Sequence, residues 1–122
     1  MEGVSPVIAP LSPEEVQTVE EFRKRRNTAV LAVMFTDIVG STNATERLGE
    51  KVYTGLRHLH DELVRKIITR DGAGTIVKEI GDSFLCVFAE PSAAVERAVE
   101  VQRAIHMNRE NLSAGEYTLT VR

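Results

Sequence analysis

The chain has 122 residues, a formal net charge of −3, 43% hydrophobic residues and 27% charged residues. This length suits one domain, and the composition is that of an ordinary globular protein. The acidic balance argues against a general attraction to nucleic acid. The single cysteine, Cys86, excludes an internal disulfide and fits a reducing, cytoplasmic location. No apolar run approaches the roughly 20 residues that a membrane span requires.

The N-terminal part of the sequence predicts an arm and a connecting helix. Residues 1–12 contain Pro6 and Pro10 and have little periodicity, which indicates a loose arm. A helix is predicted from Ser12 to about Arg26, because serine is a good cap and Pro13 suits the first helical position. We therefore divide the chain into residues 1–28, an arm and connector helix, and residues 29–122, the main domain.

A nearly all-apolar run at residues 29–35 predicts a strand that is covered on both faces. One long helix is predicted after it, capped by Asn43 or Thr45, with Gly55 as a place where it breaks or packs closely. Its apolar stripe has helical spacing and consists of Leu48, Val52, Leu56, Leu59, Leu63 and Ile67.

The second half of the chain predicts a hairpin, a helix and a last strand. Residues 75–80 and 83–89 are strand-like and are joined by Gly81-Asp82. A helix at about 93–109 and a strand at 116–122 follow. The order β-α-β-β-α-β predicts an α+β, ferredoxin-like antiparallel sheet with both helices on one face. The first and third strands are neighbours in that fold, so Asp37 and Asp82 should lie at one end of adjacent strands.

Asp37 stands at a strand end, immediately before a turn that is followed by a helix. A divalent cation binds carboxylate and carbonyl oxygens, and phosphates bind N–H groups at a turn or a helix N-terminus. The alternatives are structural: Asp37 as a capping or turn aspartate, and Asp82 as part of a plain hairpin turn.

Two motifs stand out, Phe35-Thr36-Asp37-Ile38-Val39-Gly40-Ser41-Thr42 and Lys78-Glu79-Ile80-Gly81-Asp82. Together they resemble those of class III nucleotidyl cyclases, the adenylate and guanylate cyclases. The resemblance runs from about Ala29 to the chain end and implies the N-terminal part of a catalytic domain. It further implies a homodimer that converts ATP to 3′,5′-cyclic AMP and pyrophosphate with two Mg²⁺ or Mn²⁺ ions.

The resemblance also implies a role for each motif residue. Asp37 and Asp82 would hold the metal ions with the Ile38 carbonyl, and Lys78 would contact N1 of adenine across the dimer interface. A lysine donates hydrogen bonds and does not accept them, which suits the bare N1 of adenine. For Lys78 the alternative is an ordinary solvent-facing strand lysine. The phosphates would be held by the N–H groups of Val39, Gly40, Ser41 and Thr42.

Other functions remain open on the sequence. The family's remaining base-contacting and transition-state residues would follow Arg122, so we expect this chain alone to be at best a weak cyclase. The main alternative is a non-catalytic domain of the same fold that binds nucleotide or metal. A plain interaction module is a further one. A diguanylate-cyclase or polymerase-like domain is disfavoured, because the hairpin reads Ile-Gly-Asp-Ser-Phe instead of Gly-Gly-Asp/Glu-Glu-Phe. The three histidines have no metal-ligand spacing and are interpreted as structural.

Overall fold

The computed structural model describes residues 11–122, so the arm predicted at the start of the chain lies almost wholly outside the described residues. The elements in chain order are α1 (Pro13–Arg26), β1 (Ala32–Thr36), α2 (Ser41–Leu48), α3 (Glu50–Thr69), β2 (Gly74–Ile80), β3 (Ser83–Phe88), α4 (Pro91–Met107), β4 (Ser113–Ala114) and β5 (Tyr117–Thr118). None of the helices described is long and apolar enough to cross a membrane.

Helix α1 begins where its capping residues predicted. The Ser12 Oγ accepts a hydrogen bond from the Glu15 N–H at 3.1 Å, and the Glu15 carboxylate accepts one from the Ser12 N–H at 2.7 Å. This reciprocal pair satisfies two N–H groups that would otherwise lack partners at the start of the chain's first helix. The helix ends at Asn27, which adopts a left-handed conformation with φ of 49°. The predicted helix is confirmed.

Strand β1 is shorter and more exposed than predicted. Residues 29–31 remain outside it, and the Thr28 hydroxyl there bonds to both the N–H and the carbonyl of Val30. The prediction of a strand covered on both faces is wrong, because Val33 and Phe35 are 55% and 46% exposed. The reason is that α1 packs its Phe22 on β2 and β3 and leaves this part of β1 uncovered.

Two helices replace the single helix predicted after β1. Gly49, with φ of 86°, separates α2 from α3, whereas Gly55 lies inside α3 with open space around it. The cap position of α2 is Gly40, with φ of 66° and no side-chain cap. The predicted cap at Asn43 or Thr45 is therefore wrong, since both residues lie within α2.

The buried face of α3 is rotated relative to the predicted stripe. Val52 is 46% exposed, while Leu56 and Ile67 are buried as predicted. The break at Gly49 resets the helical phase, so a stripe drawn continuously from Leu48 does not follow the core. The buried residues of α3 are Tyr53, Leu56, His60, Val64, Ile67 and Ile68.

The hairpin and the strand order agree with the prediction. Ile80 pairs with Ser83 across the two-residue turn Gly81-Asp82, in which Gly81 has φ of 58°. A glycine at the first turn position suits a tight hairpin turn. The sheet has the order β1-β3-β2 with antiparallel neighbours, so the first and third strands are adjacent.

The predicted last strand forms only in part. β5 pairs with β4 in a two-stranded ribbon, after which Val121 forms a bridge to Ile38. Asp37 and Arg122 exchange two backbone hydrogen bonds of 2.8 and 2.9 Å. The C-terminal segment thus runs antiparallel beside the residues that follow β1, the position of a fourth strand next to the first.

The sheet separates two apolar clusters. α3 and α4 cover one face, where Phe84, Cys86 and Phe88 lie in the main core. α1 covers part of the other face through Phe22, which packs with Val77, Leu85 and Val87. The α+β fold with two helices on one face is therefore confirmed, and α1 adds a third layer that the sequence did not predict.

Candidate active site

The two predicted metal aspartates lie at the same end of the sheet. Thr36 pairs with Phe84, so the next residue along β1, Asp37, comes opposite Ser83. The Ser83 Oγ donates a hydrogen bond of 3.0 Å to the Asp37 Oδ1. Asp82 directly precedes Ser83 in the hairpin turn. The dipeptide Asp82-Ser83 therefore carries the Asp82 carboxylate and, through Ser83, contacts the Asp37 carboxylate.

Asp82 is held by a side chain from α3. The Tyr53 hydroxyl donates to the Asp82 Oδ2 at 3.2 Å, and Tyr53 is only 5% exposed. Burial, and then the charge of Asp82, raises the pKa of the Tyr53 hydroxyl above its usual range, so this group remains a donor at neutral pH. The sequence gives no local signal for this role of Tyr53, because an aromatic residue on a helix usually belongs to the core.

Asp37 also meets a positive charge. The Nη2 of Arg122 lies 3.4 Å from the Asp37 Oδ2, and the two side chains are 71% and 40% exposed. Such an exposed pair is weak, because water and salt screen it. The sequence analysis gave Arg122 no place at this site, and no local pattern points to a contact across 85 residues.

The backbone pairing of Asp37 indicates the direction of the Ile38 carbonyl. The N–H and C=O of Asp37 both bond to Arg122, on the side away from β3. Successive residues of an extended chain turn these groups to opposite sides, so those of Ile38 face the side of β3 and the hairpin. The Ile38 side chain, 1% exposed, anchors this backbone in the core.

The donor set at this end consists of oxygen atoms. Carboxylate and carbonyl oxygens are the ligands that Mg²⁺ and Mn²⁺ prefer. Within residues 11–122, no three side chains of His, Cys, Asp or Glu lie together, so a third protein ligand would come from a backbone group such as the Ile38 carbonyl. His60 is buried against the Phe84 ring, which agrees with its structural interpretation.

A cleft of about 210 Å³ adjoins Asp82 at the N-terminus of α2. The first N–H groups of a helix have no intrahelical acceptor and attract anions. The Val39 N–H, however, donates to the Thr120 carbonyl at 2.9 Å and is already used. The predicted phosphate donors are thereby reduced to Gly40, Ser41 and Thr42. The cleft is lined by Ser41, Thr42, Thr45, Tyr53, Arg57, Gly81 and Asp82.

Arg57 adds a positive charge to the cleft wall. Its Nε is buried without a hydrogen-bond partner among the described residues, and it lies 3.9 Å from the Asp61 Oδ2. That separation is too long for a hydrogen bond. An anion in the cleft would meet this guanidinium, a contact that the sequence analysis did not identify.

Lys78 lies apart from the cleft. A bulge in β2 between Ile76 and Lys78 places Lys78 opposite Leu85, on the face that α1 covers. Its Nζ lies 3.7 Å from the Glu15 Oε1, and its side chain is 15% exposed. The solvent-facing alternative is therefore wrong. The structure places the predicted base-reading lysine under α1.

Residues 23–119 match the family model of the adenylate and guanylate cyclase catalytic domain. This match covers most of the chain, which therefore belongs to that family. A 65-residue stretch is 35% identical to the serine/threonine-protein kinase pkn2 of Myxococcus xanthus. That stretch is 53% of this chain and 8% of the kinase.

Solved adenylate cyclases have a similar fold. A structure of adenylate cyclases from Trypanosoma brucei in their monomeric state matches with a TM-score of 0.56 and 30% identity, over 65% of this chain and 35% of that one. A bacterial light-regulated adenylyl cyclase matches with a TM-score of 0.62 over 89% of this chain and 42% of that one. Its identity of 19% supports the fold alone. The chain thus spans less than half the length of these relatives.

Proposed function

We propose that this domain serves an adenylate cyclase, which converts ATP to 3′,5′-cyclic AMP and pyrophosphate at a site that contains Asp37 and Asp82. The observation that carries the proposal is that both carboxylates lie at the same end of the sheet: Ser83, the neighbour of Asp82, bonds to Asp37, and Asp82 lines the cleft at the α2 N-terminus. Residues 29–122 would supply the N-terminal part of the catalytic domain, and residues 1–28 an arm and connector. ATP as the substrate agrees with the predicted cytoplasmic location.

We assign each residue of the site a role that its position supports. Asp37, Asp82 and the Ile38 carbonyl would hold Mg²⁺ or Mn²⁺. When bound, two such ions would acidify the ribose 3′-hydroxyl and balance the charge on the departing pyrophosphate. The N–H groups of Gly40, Ser41 and Thr42 would orient the triphosphate, because they lie at the positive end of α2.

Adenine would be read by Lys78 of a second copy of the chain. In a homodimer with twofold symmetry, one surface contributes to two equivalent sites. Lys78 would then have to leave Glu15, because its ammonium group now lies near that carboxylate. A lysine that donates to adenine N1 would favour ATP over GTP.

A second candidate is a regulatory domain that binds the metal and the nucleotide without converting them. Two contacts favour it: Arg122 lies on Asp37, and Glu15 lies on Lys78. Asp37 and Lys78, two of the predicted functional side chains, therefore each have a protein partner of opposite charge. In such a domain, nucleotide would bind without forming a cyclic product.

Turnover measurements with matched variants would test the proposal. The protein is incubated with Mn²⁺ and either ATP or GTP, and cyclic nucleotide is quantified for the wild type, Asp37→Asn and Asp82→Asn. Asp71→Asn is the control, because Asp71 is exposed at the end of α3 and its left-handed φ of 58° suits asparagine. Because we expect this chain alone to be at best a weak cyclase, we expect slow formation of cyclic AMP by the wild type and Asp71→Asn, and none by the site variants.

The other outcomes assign other functions. Metal-dependent ATP binding with no product in any variant would indicate the regulatory domain. Product formation that survives both Asp37→Asn and Asp82→Asn would contradict the proposed site. Lys78→Glu should weaken ATP use more than GTP use, and an equal loss would count against base reading by Lys78.

A further inference from the structure

Each carboxylate of the candidate site accepts a hydrogen bond from a hydroxyl group of another residue. Tyr53 donates to Asp82, and Ser83 donates to Asp37. Both donors reach across the fold, with sequence separations of 29 and 46 between the partners. Neither contact follows from the secondary structure of a single element.

We propose that Tyr53 and Ser83 are positioning residues that hold Asp82 and Asp37 in the orientation in which their free oxygens bind divalent cations. This inference rests on the proposed function, since it assigns two supporting residues to the same metal site.

Tyr53 is suited to fix Asp82 because its own position is fixed. It belongs to the 20-residue helix α3, and its ring is packed in the main core. Asp82, in contrast, lies in a two-residue turn next to a glycine with open space around it. A hydroxyl anchored in the core therefore restrains a carboxylate whose own backbone offers little support.

Ser83 links the two carboxylates to each other. It follows Asp82 directly and starts β3, while its hydroxyl reaches Asp37 at the end of β1. A displacement of the hairpin turn would therefore move Asp82 and loosen the restraint on Asp37. Ser83 therefore couples the position of the hairpin turn to the orientation of Asp37.

Neutral donors have an advantage over charged ones at this place. A hydroxyl orients a carboxylate without cancelling its negative charge, whereas Arg122 on Asp37 opposes a second cation. Tyr53 and Ser83 each bond one oxygen of their aspartate, which leaves the other lone pairs for a metal. Residues that orient metal ligands in this way typically contribute about 10–100-fold to metal affinity.

Tyr117 provides a matched control for Tyr53. Its hydroxyl is buried and has no hydrogen-bond partner among the described residues. Tyr117 packs against the same core cluster that contains Tyr53, and burial, followed by the charge of Asp82, raises the pKa of its hydroxyl. Tyr117→Phe thus removes the same atom from the same neighbourhood without breaking a bond to the carboxylate.

The test is a calorimetric titration of the whole chain with Mn²⁺ alone. Its variants are Tyr53→Phe, Tyr117→Phe, Ser83→Ala, Ser83→Thr and Asp82→Asn. We expect Tyr53→Phe and Ser83→Ala to weaken Mn²⁺ binding by about 10–100-fold. Tyr117→Phe and Ser83→Thr, which keeps the hydroxyl, should remain within about twofold of the wild type. Circular dichroism establishes that each variant is folded at the titration temperature.

Two results would overturn the inference and remain distinguishable. If Mn²⁺ binding requires Asp82 but Tyr53→Phe and Ser83→Ala bind as tightly as the wild type, the positioning roles are wrong and the proposed function stands. If the wild type binds no Mn²⁺, both fail. An equal loss in Tyr53→Phe and Tyr117→Phe would also overturn the role of Tyr53. If Tyr53→Phe does not fold, the comparison of Ser83→Ala with Ser83→Thr decides.

Discussion

At the scale of single residues, the candidate site depends on which side chains contact the Asp37 carboxylate. The Ser83 hydroxyl supports this carboxylate, and the Arg122 guanidinium neutralises it in part. Arg122 is mostly exposed, so solvent and salt screen its attraction to Asp37. A bound cation can therefore displace the guanidinium from the carboxylate.

The first prediction concerns this competition. Arg122→Gln should tighten Mn²⁺ binding by a few-fold at low ionic strength, because it removes a positive charge from a metal ligand. The gain should shrink in high salt, which screens the guanidinium in the wild type. Calorimetry at two salt concentrations measures both effects. Arg109→Gln is the control, because Arg109 is exposed and bonds to the His106 carbonyl, away from Asp37. Weaker binding by Arg122→Gln would contradict the prediction.

Sequence reasoning found the carboxylates but not the residues that hold them. Asp37 is recognisable because it follows the end of a strand, and Asp82 is recognisable because it lies in a glycine turn. The contacts of Tyr53 with Asp82 and of Glu15 with Lys78 depend on how distant elements pack. No periodicity within one element encodes such a pairing.

At the scale of elements, α1 is a layer of the domain. Its Phe22 is buried against β2 and β3, and its first turn places Glu15 beside Lys78. The pKa of the Glu15 carboxyl is held below its usual value, first by the Ser12 backbone N–H and also by the charge of Lys78. Ionised Glu15 therefore stabilises both the start of α1 and its contact with the sheet.

The second prediction is a pH dependence of this contact. A carboxyl with a lowered folded-state pKa stabilises the fold above its unfolded-state value of 4.5, and this stability is lost as the pH falls through the folded-state value. Glu15→Gln should therefore lower the melting temperature at pH 7, and the difference from the wild type should shrink progressively as the pH falls below 4.5. Thermal melts by circular dichroism measure it, with the exposed Glu14→Gln as the control. A difference that stays the same as the pH falls below 4.5 would contradict this.

The third prediction uses two glycines on either side of the start of α3. Gly49 has φ of 86° and ψ of 153°, a conformation that is essentially reserved for glycine. Gly49→Ala should lower the free energy of unfolding by about 1–3 kcal/mol. Gly55→Ala should raise it by about 0.5–1 kcal/mol, because Gly55 lies inside a helix with open space around it. Urea unfolding measures both values, and effects of the same sign would contradict this interpretation.

The elements with strong local signals were predicted well. Ser12 and Pro13 predicted the start of α1, and the Gly-Asp turn predicted the β2–β3 hairpin. The break between α2 and α3 was missed because apolar spacing continues across Gly49, while the backbone conformation there does not. The exposure of β1 was missed for another reason: it depends on where α1 lies, which the sequence of β1 does not encode.

At the scale of the whole molecule, helices pack on both faces of the sheet, and the candidate site lies at one end of it. α3 and α4 pack on one face and supply Tyr53, while α1 covers the other face and Lys78. The segment beside Ile38 extends the sheet past β1. This architecture places Asp37 and Asp82 at the same end of one sheet, whereas Lys78 lies beside Glu15 on the face that α1 covers.

The central claim is that Asp37 and Asp82 form one site for metal and nucleotide. The measurement that tests it most directly is calorimetric binding of a non-hydrolysable ATP analogue with and without Mn²⁺, on the wild type, Asp37→Asn and the control Asp71→Asn. We predict binding that requires Mn²⁺, is retained in Asp71→Asn and is lost in Asp37→Asn. Binding that does not need the metal, or that survives in Asp37→Asn, would contradict the claim.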